Sequence, residues 1–291
     1  MVASGPMEFE PLVKQHLGGT HFVFDVEEYT LTGQVIALGW PLDKNDVLAM
    51  LRLPFLLADS LEKRMLLIME EFQCILNLEA PDGILRPLSA VIKEQKGRNF
   101  SFIFSGSAVN AMSSIFSESV LFSRRVERVK LSVPPEEEVT EHLHRGFLSS
   151  GKVVEKRLLQ GDYNLFKGHL WYINHLIAIA DSLSRGYIME PLLVDALEGL
   201  VNIHEPSFRG VMNSLTTHQV SLLKAILDGV TRFSSSDVIR RYGLNSSANV
   251  KRVKEALMKK EVIMLDASDN PVLEDPLFEY WVRKYYFEMK D

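Results

Sequence analysis

Met65-Leu66-Leu67-Ile68-Met69-Glu70-Glu71-Phe72-Gln73 is the stretch on which the fold turns. Its first five residues are wholly apolar and too few for a buried helix, which predicts a buried β-strand. Two carboxylates follow where the strand gives out. Such a pair can divide labour: Glu70 can hold the water shell of a magnesium ion while Glu71 orients a water that attacks a phosphate. A strand that simply meets solvent produces the same pattern, so the surroundings decide.

Outward from this strand the chain alternates strands and helices. Before it, Asp43 to Leu61 reads as a helix with Asp43 as N-cap. Earlier still, His21–Asp25 reads as a strand, followed by a loop holding Gly33, Gly39 and Pro41. After it come an amphipathic helix over Leu85–Lys96 and a second buried strand, Phe100–Phe104, ending in Ser105-Gly106-Ser107. Val126–Ser132 is a candidate third strand, half exposed. This alternation predicts βαβ units and a parallel sheet. Past Pro134-Pro135 only helical periodicity is read, over Glu136–Phe147, Gly151–Gln160, Tyr163–Ser184 and Glu190–Val201, a layer bounded by Pro134 and Pro206. From Leu215 the order is helix Thr217–Leu227, short helix Asp237–Tyr242 stopped by Gly243, and longer helix Ser246–Lys260. A hairpin of Val262–Asp266 and Pro271–Leu273 around Ala267–Asn270 then completes a winged helix-turn-helix. The aromatic segment Phe278–Phe287 closes the chain as a helix. The expected architecture is α/β: a first domain over 1–133, a helical layer over 134–214, and a winged helix over 215–291.

Several segments carry a family likeness. Ile68 to Gln73 resembles the "IDEFQ" segment of archaeal-ATPase proteins and their relatives in the STAND group of P-loop NTPases, AAA+-like in their ATPase domain. Phe102 to Ser107 is similar to the family strand that bears a γ-phosphate sensor, Arg124-Arg125 with the following strand to the next block, Gly168 to Ile173 to a turn in the helical lid, and Asp275–Tyr285 to the closing helix of the winged domain. The resemblance covers nearly the whole chain. It implies ATP and Mg²⁺ as cofactors, Glu70 at the metal, Glu71 positioning water, Ser105 sensing the γ-phosphate, and Arg124 or Arg125 contacting phosphate in its own subunit or in a neighbour's.

The phosphate loop departs from that family. GxxxxGK[ST] needs glycines so that backbone N–H groups face phosphate, a lysine for its charge, and a hydroxyl on Mg²⁺. The aligned residues begin well, with Gly5-Pro6, but Glu10, Pro11 and Leu12 stand where Gly, Lys and Ser or Thr belong. Glu10 repels an anion, Pro11 removes both a charge and an N–H, and Leu12 cannot ligate a metal. Glu70 also replaces the family's Asp. Either the loop is degenerate, leaving ATP binding and hydrolysis impaired or lost, or the chain starts downstream of it. A helix at Leu12–Leu17 and a strand at His21–Asp25, in the order that follows a P-loop, favour degeneracy.

Charge points to a second site. The 291-residue chain carries a formal net charge of −6, yet residues 232–260 hold eight Lys or Arg against two acids. Arg240, Arg241, Lys251, Arg252 and Lys254 are the DNA-binding candidates, the last three near the start of the helix that enters the major groove in winged-helix proteins. A protein partner at the same surface is the alternative, since such domains also act as regulatory elements on their own ATPase core, and a solvated helix face is the plain reading. An oligomer is compatible with the sequence. The lone cysteine, Cys74, excludes an internal disulfide and suits a reducing, cytoplasmic setting; its apolar neighbours predict burial. No apolar run reaches membrane-spanning length and no signal-peptide layout opens the chain. His142 and His144, two apart on a predicted helix, diverge and do not make a metal pair.

Overall fold

The computed structural model describes residues 6–32, 36, 37, 43–94, 100–122, 125–129 and 131–289. It divides into two compact units, Met1–Arg128 and Val129–Asp291.

In the first unit, helix α1 (Pro6–His16) is followed by the short strand β1 (Phe22–Val23), helix α2 (Val26–Thr32) and strand β2 (Ile36–Ala37). The strand expected over His21–Asp25 is thus shortened to two residues that pair antiparallel with β2. Residues 26–32, expected in a loop, are helical. Helix α3 (Lys44–Ser60) starts where its chemistry says it should: the Asp43 carboxylate accepts from the N–H groups of Asn45 and Asp46. Asp46 answers by accepting from Asp43 N–H at 2.7 Å, and it also accepts from His21 N–H and pairs with His21 Nδ1, each at 2.8 Å. This reciprocal cap fixes the entry to α3 and ties β1 to it. The His21 pair holds the Asp46 carboxyl down at about 2.

Strands β3 (Met65–Met69) and β4 (Phe100–Phe104) form at the expected residues and pair in parallel, Met65 opposite Phe100 through Met69 opposite Phe104. A 3₁₀ turn (Phe72–Asn77) and helix α4 (Asp82–Glu94) make the crossover. Both strands were read as buried, but burial alternates. One face packs Phe100, Phe102 and Phe104 on Phe55, Phe72 and Phe116, with Leu88 and Phe122 beneath. The other carries Leu66, Ile68 and Ile103, which are 55%, 53% and 46% exposed. The period-2 pleat sends alternate residues to opposite faces whatever their polarity. Among the described residues no larger parallel sheet forms, and 125–129, 131 and 132 are not in a strand. Helix α5 (Val109–Ser113) follows β4. Cys74 is exposed, because the turn it occupies aims Phe72 inward instead.

The second unit is built on one continuous core. Helices α6 (Glu136–Ser149), α7 (Lys156–Leu165), α8 (Leu170–Leu183) and α9 (Glu190–Asn213) make the helical layer. A two-residue parallel pair, β5 (Val153–Val154) with β6 (Tyr187–Ile188), joins its loops where only helices were read. Pro206 lies inside α9 and ends nothing. Helices α10 (Thr217–Leu227), α11 (Ser236–Tyr242) and α12 (Ser247–Lys259), the hairpin of β7 (Ile263–Leu265) and β8 (Pro271–Leu273), and helix α13 (Pro276–Trp281) follow in the expected order. Local chemistry sets these boundaries. Gly243 stops α11 in the left-handed region, the Ser246 side chain caps α12 by accepting from Asn249 N–H, and Asp266 accepts from Ser268 and Asn270 to close the hairpin. Buried residues from Val139 to Val282 form a single hydrophobic cluster shared by the layer and the winged helix.

The α7–α8 turn depends on Gly168, at φ +75°. A Cβ there would lie 2.3 Å from Val133 Cγ1 and 2.8 Å from the Tyr163 hydroxyl. Gly168→Ala is expected to cost about 2 kcal/mol or more, from a strained backbone plus the clash, read as a lowered denaturant midpoint.

Candidate functional site

The ends of β3 and β4 lie side by side because the strands are parallel and in register. Residues just beyond the two strands therefore meet, although they are 36 positions apart in sequence. Ser105 continues the ladder through its backbone, donating to Met69 O at 3.0 Å and accepting from Phe72 N–H at 2.9 Å. Glu71 sits at φ 48°, a left-handed conformation that turns its side chain across this end. Its Oε2 accepts from the Ser107 hydroxyl at 2.6 Å and from Gln73 Nε2 at 2.5 Å, and Gln73 Nε2 lies 3.3 Å from Ser107 Oγ. The Ser107 hydrogen bond first, and that of Gln73 second, hold the Glu71 carboxyl below the usual range. Glu71 is therefore an ionised and rather weak base.

Gly106 makes the cluster possible: a Cβ on it would lie 2.2 Å from Gln73 Oε1 and 2.7 Å from Met112 Sδ. That same Oε1 is buried with no hydrogen-bond partner. Ser107→Ala is expected to raise the Glu71 pKa toward that of an ordinary glutamate, and Gly106→Ala to do so by displacing Gln73. A carboxyl-resolved NMR titration checks both. Glu71 and Ser105 were expected from sequence. The hydroxyl that reaches the carboxylate, however, is that of Ser107, and the amide of Gln73 joins it. Gln73 lies two residues beyond Glu71, inside the stretch the sequence singles out, whereas no linear signal assigns Ser107, which strand register brings to Glu71 from 36 positions away.

The other expected residues stand elsewhere. Glu70 is exposed at the end of β3. Pro6, Glu10, Pro11 and Leu12 are on α1, a helix where a loop was expected, and Glu10 pairs with Lys14 one turn on at 2.6 Å. Gly5 and Arg124 lie outside the described residues. Arg125 donates from Nη1 to Ser89 Oγ at 3.0 Å and to Leu121 O at 3.1 Å, holding a turn against α4. The segment aligned with a phosphate loop does not fit a triphosphate. At the positions of Gly, Lys and the hydroxyl residue it has no lysine, a carboxylate committed along the helix and, at Pro11, no N–H to offer. Glu70 and Glu71 by themselves are chemically suited to the water shell of a divalent cation and to nothing more specific.

A basic surface lies on the winged helix. Arg240 and Arg241 end α11, both exposed, and Arg240 Nη2 pairs with Asp237 at 3.0 Å. Lys251 and Arg252 stand exposed on α12, while Val250, Val253 and Leu257 on its opposite side are buried. Arg252 donates to Asn249 Oδ1 at 2.9 Å, and Asn249 in turn donates to Leu244 O at 3.0 Å, so this guanidinium is preset by the turn before α12. Lys254 is half-buried on the flank. A shallow concavity of about 500 Å³ is bounded by Ser236, Ile239 and Arg240 of α11 and by Gly243 and Asn245 of the turn that follows it.

Comparison with known proteins agrees with this architecture. Residues 206–284 match a family described as "Probable winged helix domain". Among solved structures, the Walker-type ATPase PABY2304 of Pyrococcus abyssi superposes with a TM-score of 0.63 at 16% identity, over 96% of this chain and 77% of that one. No curated protein sequence matches. The fold is that of a mostly helical α/β protein with small sheets, similar to a Walker-type ATPase, carrying a winged helix domain. No helix among the described residues is long and apolar enough to cross a membrane.

Proposed function

We propose that this chain is an ATPase-family switch protein, of P-loop and STAND-like descent, whose N-terminal unit has lost productive ATP chemistry and whose winged helix carries the working contact. The observation that carries this reading is the phosphate-loop segment: Glu10, Pro11 and Leu12, helical, in place of Gly, Lys and a hydroxyl residue. What survives is the strand-end cluster, in which Glu71 is engaged by the chain's own Ser107 and Gln73. Those donors keep the carboxylate ionised and oriented with no γ-phosphate needed, as in a switch fixed in one state. The domains that follow from this are an ATPase-like region to residue 133, a lid to 214 and a winged helix to the end. Calorimetry with the full chain and Mg²⁺ tests it. No heat of binding is expected at millimolar ATP or ADP; micromolar binding, with turnover abolished by Glu71→Gln, would overturn it.

DNA is the second reading, favoured by the preset Arg252 and the exposed Arg240, Arg241 and Lys251 on one domain of an acidic protein. Were these four and Lys254 all to neutralise phosphates, log Kobs against log salt would have a slope of about −4.5, its steepness falling by roughly one for each residue replaced by alanine. Binding that ignores salt assigns the surface to a protein partner instead.

A further inference from the structure

A groove between α7 and α9 belongs to neither the strand-end cluster nor the basic surface. It encloses about 340 Å³, at the lower end of small-molecule sites. Leu158 of α7 and Leu193 and Leu197 of α9 form its apolar wall. Gly161, in the middle of α7, leaves its floor open: a Cβ there would meet nothing within 4 Å.

Asp162 lines this groove and is only 8% exposed. Its Oδ2 has no hydrogen-bond partner, and loss of hydration alone pushes its carboxyl up to about 7. The cations on its own helix are committed elsewhere, Arg157 Nε to Glu155 and Lys156 Nζ to Glu141, each at 2.5 Å. On α6, which packs on α7, Arg145 is likewise held by Glu141 at 2.7 Å. From α9 the groove receives another acid, Glu190. A buried carboxyl oxygen without a partner weakens a fold, so stability does not account for it. What it lacks is a compact hydrogen-bond donor bearing positive charge, delivered through an apolar channel.

We propose that the α7–α9 groove binds a small molecule consisting of a primary ammonium group on an apolar body. The ammonium donates to Asp162, with Glu190 adding negative potential at the rim, and the apolar body lies over Gly161 against Leu158, Leu193 and Leu197. Arg157 also lines the groove but is tied to Glu155, so an anion there meets Asp162 and Glu190 with that one cation already paired.

The test uses the full chain and two probes, hexylammonium chloride and its uncharged analogue hexanol, followed by amide NMR shifts and calorimetry. Hexylammonium is expected to bind with a Kd of about 1 mM or tighter, within the reach of so few heavy atoms, and at least about tenfold tighter than hexanol. Shifts should centre on α7 and α9. Asp162→Asn, which keeps the shape and removes the charge, is expected to lower hexylammonium affinity about tenfold or more while leaving hexanol unchanged. Gly161→Leu, whose Cβ has open space within 4 Å, is expected to abolish binding of both probes while circular dichroism stays that of the parent. Absence of hexylammonium shifts at 10 mM, or equal affinity in the parent and in Asp162→Asn, would overturn the proposal.

Discussion

Phe208→Ala is expected to lower the stability of the 129–291 unit by about 3–5 kcal/mol, a large share of what a domain of this size possesses. Phe208 is 4% exposed and stands on α9, with its ring 5.4 Å from that of Phe278 and 5.8 Å from that of Trp281. Both partners are on α13, which closes the winged helix. The lost stability is therefore the cavity left under α13 plus the aromatic contacts. Because one core runs from Val139 to Val282, the helical layer and the winged helix should melt together in parent and variant alike. Differential scanning calorimetry reads both results. A drop on the order of 10 °C in a single second-unit transition is expected, and separate melting of the layer and the winged helix would contradict the shared core.

The second large effect is electrostatic and opposite in sign. The Asp162 carboxyl is raised from 3.8 to about 7 by burial. Between those values the unfolded chain has released a proton that the folded chain keeps, so stability falls as pH rises, by about 1.4 kcal/mol per pH unit. Below pH 4 both states are protonated and there is no effect. Above pH 7 both are ionised, and the deficit levels off at no more than about 4 kcal/mol. Asp162→Asn abolishes this slope and is expected to be more stable than the parent at pH 8 but not at pH 4. Glu141 behaves oppositely: its pairs with Lys156 and Arg145 hold it at about 2, so its support is present in full above its ordinary pKa and is lost as pH falls from there to about 2. Taking the difference between variant and parent isolates Asp162 from it. Urea midpoints across pH 4–8 check the curve.

Turn chemistry was the most legible part of the sequence. The winged helix could be read almost residue by residue because Gly243, Ser246 and the Asp266–Asn270 turn act on backbone within four positions of themselves. Strands β3 and β4 were equally plain, since a short run of five apolar residues in β3, and of four with one serine in β4, leaves little choice. Local reading failed where a residue's fate depends on distant packing. Cys74 faces solvent despite apolar neighbours, and Pro206 is absorbed into α9, whose buried face carries through to Met212.

The sequence by itself determined the order of elements in the winged helix, the strand ending in Glu70-Glu71, the absence of Gly, Lys and a hydroxyl residue from Glu10-Pro11-Leu12, and the basic residues of α11 and α12. Each is a property of composition or of spacing along the chain. Tertiary structure alone decided which face of β3 is covered, that Ser107 reaches Glu71, and that Asp162 is buried with its Oδ2 unpartnered. These depend on strand register and on helices packing across long sequence separations, where periodicity shows that a residue has a face but not what that face will meet.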